Sequence, residues 1–249
     1  FVRNQFGGTL GGPLRRDLPE GDYRWKGDLS VFNRLYVKAD AAGAKTGRSW
    51  QDAFTDLQDA LAAAQPGEEI WVAQGRYTPA APGGDRNATF RVDKDLRLYG
   101  GFAGTEARLE ERGAPAGHPT ILSGDLNGDD VDGDLQVNRA DNSYTIMALT
   151  EATSTRTILY GFIFQGCHAD GPGNFEDKRG AGIYLSGAAT ISNCVFDQNF
   201  ASQAGAGIDM PNSSICIVLE NCTFSRNRAN VGAGMRAENP TQMLVEYCS

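Results

Sequence analysis

The sequence predicts an all-β chain wound as a solenoid of short parallel strands, and three observations carry that prediction. Short apolar stretches alternate and are bounded by Gly, Asn and Asp, as strands between turns require. Glycine makes up 31 of 249 residues with no collagen period, so the glycines mark turns and close backbone approaches. The C-terminal third repeats itself, which is the signature of stacked equivalent units.

Taken in order, residues 1–34 are Gly-, Arg- and Asp-rich, show no period and are expected to form an irregular arm; residues 35–249 are expected to form the folded domain. A strand signal at 35–37 is followed by a loop at 41–48. A helix should follow from Ser49 as N-cap, with Asp52 three residues on as a capping-box variant. Trp50, Ala53, Phe54, Leu57, Ala60, Leu61 and Ala64 then recur at helical spacing and give one apolar stripe, which Pro66 and Gly67 end. Strand signals lie at 70–73, 89–92, 96–102, 121–123, 144–149 and 157–164, with a turn at 75–79. One helix among many short strands argues against alternating α/β architecture.

The repeat itself pairs two elements. Gly180-Ala181-Gly182-Ile183, Gly205-Ala206-Gly207-Ile208 and Gly232-Ala233-Gly234-Met235 stand 25 and 27 residues apart. Between them lie Asn193-Cys194-Val195-Phe196-Asp197-Gln198-Asn199 and Asn221-Cys222-Thr223-Phe224-Ser225-Arg226-Asn227, 28 apart. Stacking like residues ~4.8 Å apart would make apolar columns of Ile191, Leu219 and Val245, of Phe196 and Phe224, and of Ile183, Ile208 and Met235. Asn199 and Asn227 would bond successive turns as an amide ladder. Cys194, Cys222 and Cys248 form another column, read as small buried apolar groups. Cys167 and Cys216 fit no column.

These repeats resemble the GGA(I/L/V) and FxxN repeats of chlamydial polymorphic membrane proteins and other autotransporter passengers, with Gly-Ala-Gly here where that family has Gly-Gly-Ala. Residues 36–124 resemble the N-terminal part of bacterial pectin-lyase-like surface proteins, through Ser49-Trp50-Gln51-Asp52-Ala53-Phe54, Gly67-Glu68-Glu69-Ile70-Trp71-Val72-Ala73-Gln74-Gly75-Arg76-Tyr77 and Leu98-Tyr99-Gly100-Gly101-Phe102. The resemblance implies a right-handed parallel β-helix, plugged at its N-terminal end by the amphipathic helix. It speaks to fold and little to function, because one such coil hosts lyases, hydrolases and adhesins.

Composition narrows the chemistry. The net charge of −8 disfavours a generic nucleic-acid binder. No apolar run approaches about 18 residues, so no transmembrane helix is expected. Only two histidines are present, which argues against His-based catalysis. Five Asp crowd residues 125–134. Asp125, Asn127, Asp129 and Asp132 begin like a calcium loop, but Asp130 stands where Gly is expected and Gln136 replaces the closing Glu. The other reading is a solvated acidic turn. Tyr184, Asp209 and Arg236 should share one outward column. Asp209 and Arg236 are the candidates for a catalytic carboxylate and base, or else for a cross-strand surface ion pair worth under ~1 kcal/mol. Tyr184 and Trp25 are candidate sugar-stacking rings, or rings lying on the domain's own surface. The function expected is a non-enzymatic bacterial surface protein, extracellular, binding polysaccharide or other copies of itself head to tail through an open C-terminal end. The alternative is a lyase or hydrolase of acidic polysaccharide.

Overall fold

The computed structural model describes residues 34–113, 116–150, 152–173, 176–211 and 216–249, within a compact unit that spans Phe32–Ser249. The predicted arm, Arg34 excepted, lies outside the described residues, and Trp25 with it. Elements near the start are β1 (Arg34–Val37), α1 (Leu57–Ala63), β2 (Glu69–Ala73), β3 (Gly75–Tyr77) and β4 (Phe90–Val92). Next come β5 (Arg97–Phe102), β6 (Thr120–Ser123), β7 (Met147–Leu149), β8 (Ile158–Tyr160), β9 (Phe162–Gln165), β10 (His168–Ala169) and β11 (Ile183–Leu185). Then follow β12 (Ala189–Ser192), β13 (Val195–Asp197), β14 (Phe200–Ala204), β15 (Ile208–Met210) and β16 (Cys216–Glu220). The last are β17 (Thr223–Ser225), β18 (Arg228–Val231), β19 (Met235–Ala237) and β20 (Gln242–Glu246).

These strands form parallel sheets in a fixed rotation. One sheet runs β1-β2-β5-β8-β12-β16-β20, a second β3-β6-β9-β13-β17, a third β10-β14-β18 and a fourth β4-β7-β11-β15-β19. From β8 onward the chain visits the first, second, third and fourth sheets and then returns to the first. Among the described residues, no strand is bonded to its successor beyond the β1–β2 pair. Strands of two to six residues can therefore persist only because each is paired by the next circuit.

Register lays the repeat columns over one another. Ile191 pairs with Leu219 and Leu219 with Val245. Ile183 pairs with Ile208 and Ile208 with Met235. Phe164, Phe196 and Phe224 align, with ring centroids 4.9 Å apart at each step and interplanar angles of 6° and 9°. The corners explain the polar half of the repeat. Asn193 and Asn221 carry positive φ after the first sheet, and Gly166, Gln198 and Arg226 do so after the second. Asn199 then turns inward. Its Nδ2 donates to Phe164 O at 3.0 Å and to Asn227 Oδ1 at 3.1 Å, and its Oδ1 accepts Cys167 N–H at 3.1 Å. Cys167 thus does have a column: it takes the asparagine position one circuit earlier, with His168 aligned to Phe200.

Each residue of Gly-Ala-Gly has its own task. Gly180, Gly205 and Gly232 hold φ near +60°, which side chains rarely adopt. Ala181 and Ala206 are buried in the core. Gly207 leaves room for the next circuit, since a Cβ there would strike the Gly234 carbonyl and sit 2.8 Å from the Phe224 ring. Gly207→Ala is expected to cost about 2 kcal/mol, the usual scale for overpacking, read as a lower urea midpoint with unchanged slope.

One sequence expectation needs correction. The helix starts at Leu57, not beside Ser49. The capping bonds do form, Asp52 N–H to Ser49 Oγ at 3.0 Å and Ser49 Oγ to Asp52 Oδ2 at 3.2 Å. No helix follows, because the backbone at Phe54 pairs with β1 through Phe54 N–H to Tyr36 O and Lys38 N–H to Phe54 O. Asp56 is the actual N-cap, accepting Gln58 N–H at 2.8 Å. The helix then lays Leu57, Ala60 and Leu61 against the strand-end core of Leu35, Val37 and Phe90. Trp71, in turn, faces outward from the first sheet rather than into that core. It joins Tyr36, Tyr99 and Tyr160 in one register column with Phe102 stacked at 4.5 Å. The segment 103–112 covers this second apolar cluster, with the Arg112 guanidinium 3.9 Å from the Tyr160 ring centroid.

Candidate functional site

The strands of the second sheet end at Ser123, Gln165, Asp197 and Ser225, which lie in register. Polar residues at that end face a long excursion, residues 124–146, between β6 and β7. Asp125 roots it. Its Oδ1 accepts the N–H groups of Gly128 (2.7 Å) and Asp129 (3.2 Å), and its Oδ2 accepts Asp130 N–H (3.3 Å) and Arg76 Nη2 (2.7 Å). A buried carboxylate folding a Gly-Asp turn onto itself is the local reason the segment turns here.

Three arginines fix the excursion, Arg139 from within it and Arg76 and Arg226 from other elements. Buried Arg139 places Nη1 2.8 Å from Asp130 Oδ2 and gives Nε and Nη2 to the Asp134 carbonyl. Arg76 of β3 meets Asp125. Arg226 spans Asp132 (2.9 Å) and Asp197 (2.5 Å). The corner residue Gln198 adds a bond from Nε2 to Asp132 Oδ1 at 2.8 Å and accepts Gly133 N–H. Asn142 Nδ2 bridges both Asp130 oxygens and the Gly166 carbonyl.

What remains open between these groups is a polar cleft of about 240 Å³, lined chiefly by Arg76, Asp125, Asp130, Arg139, Gln165 and Gln198. Planar amide, carboxylate and guanidinium groups converge on it, and no aromatic wall lines it. Burial pushes the Asp130 carboxyl up to about 6, with Asp125 and Asp141 adding to the rise against the pull of Arg139 and Asn142. At Asp197 burial works upward too, but hydrogen bonds from Arg226, Ser225 and Gln198 outweigh it and hold that carboxyl below its usual range.

The raised Asp130 group has a signed consequence for stability. The folded chain holds this proton more tightly than the unfolded chain does. That contribution is complete below pH ~4 and is lost as pH rises through about 6, amounting to roughly 3 kcal/mol at most. Unfolding free energy measured from pH 4 to 7 should show this decline, and Asp130→Asn should flatten it.

The predicted site residues are distributed as follows. Asp125 and Asp129 come together, but with Asp141, not Asp132: one carboxylate oxygen from each of these three lies within 4.8 Å of the others. Asn127 turns its Oδ1 to Gly83 N–H at 2.9 Å, and exposed Asp132 points to Arg226. Because Arg76 and three backbone N–H groups already engage Asp125, the fit to Ca²⁺ is poor. Tyr184, Asp209 and Arg236 do share a column. Asp209 and Arg236 form an ion pair, 2.6 Å from Oδ1 to Nε, and Arg236 also reaches Glu238 at 2.7 Å. The pair is buried rather than on the surface, with Asp209 fully covered and burial raising its carboxyl. Tyr184 is half-buried. Neither an open catalytic pair nor an exposed stacking ring is present in this column. Arg76, Asp130, Arg139, Asn142 and Gln198 were not legible as a set, because they meet only when three distant segments are folded together. The single usable signal was Gln198, which occupies a corner held by Gly166 and Arg226 in neighbouring circuits.

No family model matches the chain, and comparison with curated proteins and with solved structures likewise produced no match.

Proposed function

We propose that this chain is a right-handed parallel β-helix of the pectin-lyase-like kind, displayed outside a bacterial cell, and that it binds acidic polysaccharide without cleaving it. The cyclic order of parallel sheets and the in-register columns support the winding. The observation that carries the binding reading is the lateral cleft, in which Arg76, 39% exposed, stands beside Gln165 and Gln198. A guanidinium pairs with a sugar carboxylate, and flanking amides suit hydroxyl groups that both donate and accept. The reading does not depend on a cation.

Arg76→Ala should weaken binding of oligogalacturonate or oligoalginate by about tenfold to a hundredfold, the worth of one charge-assisted bond, in isothermal titration. Binding should also strengthen from pH 7 to pH 5, as Asp130 takes up a proton and ceases to repel the ligand. Equal affinity for neutral glucans would remove the proposal.

One observation favours a second reading. A carboxyl raised to about 6 by burial, beside the Arg139 guanidinium and open to the cleft, has the properties of a general acid or base, so the same cleft could serve a lyase or hydrolase. Release of reducing or unsaturated sugar ends on prolonged incubation, abolished by Asp130→Asn, would establish it in place of simple binding.

A further inference from the structure

Two groups that line the cleft, Asp132 and Gln198, are bonded to each other, and Arg226 joins them. Arg226 is fixed from one side. Its Nε and Nη2 meet Asp197 Oδ1 at 2.9 Å and Oδ2 at 2.5 Å, a bidentate grip on a carboxylate only 9% exposed. Ser225 Oγ donates to the same carboxylate at 2.8 Å. That grip aims Nη1 at Asp132 Oδ1, 2.9 Å away. Gln198, at a positive-φ corner, directs Nε2 to the same oxygen at 2.8 Å. A guanidinium N–H and an amide N–H thus converge on one carboxylate oxygen. They do so at a circuit with described circuits on both sides, that of Gln165 before and that of Ser225 after.

The oxygen in this position belongs to a loosely held residue. Asp132 is 82% exposed and lies in a turn closed by Asp134 N–H to Val131 O at 3.0 Å. Gly133 beside it holds φ at +79°, with no atom within 4 Å of its Cβ position, and tethers the turn through its N–H to Gln198 Oε1. Arg139 holds both shoulders, through the Asp130 carboxylate and the Asp134 carbonyl. Rotation of the Asp132 side chain, or a swing of the tip, vacates the position while the rest of the excursion stays. An exposed ion pair contributes little, so exchanging Asp132 for another carboxylate costs little.

Resting on the acidic-polysaccharide reading of the cleft, we propose that Arg226 and Gln198 form a second carboxylate subsite and that Asp132 is its built-in competitor. Arg76, in register with Ile121, reaches Asp125 one circuit on, and Arg226 reaches back to Asp197 one circuit earlier. Asp125 follows Ser123, and Ser123, Gln165 and Asp197 lie in register. The two guanidinium groups therefore stand about two circuits apart, ~10 Å at the spacing of stacked strands. A single sugar acid reaches only one of them. A chain bearing repeated carboxylates reaches both, and it must displace Asp132 to do so. Asp132 thereby sets the affinity for acidic chains without altering that for the monomer.

The test is isothermal titration of galacturonate and of hexagalacturonate, at fixed pH and salt, into the full chain and its variants. Asp132→Ala should bind hexagalacturonate about twofold to fivefold more tightly, the scale of one exposed ion pair, and galacturonate no differently. Arg226→Gln should weaken hexagalacturonate alone, and Asp132→Ala should add nothing once Arg226→Gln is present. The urea midpoint of Asp132→Ala should hardly move, which separates the gain from a change in folding. Unchanged or weaker hexagalacturonate binding by Asp132→Ala, or an equal gain with Arg226→Gln present, overturns the competitor role. Loss of wild-type binding in Arg76→Ala would still uphold the cleft in that case. No hexagalacturonate binding by the wild-type chain removes the cleft reading, and the second subsite with it.

Discussion

Replacing Phe196 with alanine is expected to destabilise the chain by about 3–5 kcal/mol, the range for truncating a fully buried ring. Phe196 is the middle member of a three-ring stack, 4.9 Å from Phe164 on one side and from Phe224 on the other. Its removal takes away transfer energy and both ring contacts, and the backbone cannot close the gap because Gly182 and Gly207 already hold adjacent circuits in contact. Phe224→Ala, at a half-buried position, should cost clearly less. Urea titration of both variants measures the difference. Amide exchange should place the extra opening in β9, β13 and β17, since stability in a stacked repeat depends chiefly on adjacent units. Equal costs for the two rings would mean that the column is not a continuous core.

Asn199→Leu should be nearly as costly, about 3 kcal/mol or more, although leucine has similar volume and greater apolarity. The position is fully buried, so hydrophobicity alone predicts a gain. The loss arises because Cys167 N–H would be left in the interior with no acceptor, worth ~1–3 kcal/mol, and the amide bonds to Phe164 O and Asn227 Oδ1 would go as well. Asn227→Leu likewise strips Asn199 N–H of its acceptor, but Asn227 lies half-buried, where water can take over part of its bonding, so it should be tolerated better. Thermal denaturation of the pair checks this. A stabilised Asn199→Leu would show that the ladder carries no net energy.

Both residues were visible beforehand as members of columns, and the reason is geometric. When each circuit must lay like side chains over like, register follows from spacing, so Phe196 over Phe224 and Asp209 over Arg236 can be read from residue numbers. Spacing does not report what covers a column. Asp209 shares a column with Tyr184 and Arg236, yet it is fully covered, and the expected surface pair is a buried one. Cys167 escaped notice because its circuit lacks the asparagine that marks the others. The Asp-rich segment was legible as unusual, but not that Arg76, Arg139 and Arg226 are the partners of Asp125, Asp130 and Asp132.

By itself, then, the amino-acid order determined the all-β character, the columns and the Gly-Ala-Gly corners, because period and alternation are local properties of a chain whose neighbours repeat it. Only the tertiary structure decided where α1 begins, that Trp71 faces outward, and that Arg76, Asp130, Arg139 and Gln198 frame one cleft. Those outcomes depend on pairings between residues tens of positions apart, such as Phe54 with β1 or Gln198 with Asp132, and such contacts override a local capping or ligand pattern whenever they bury more surface or satisfy more charge.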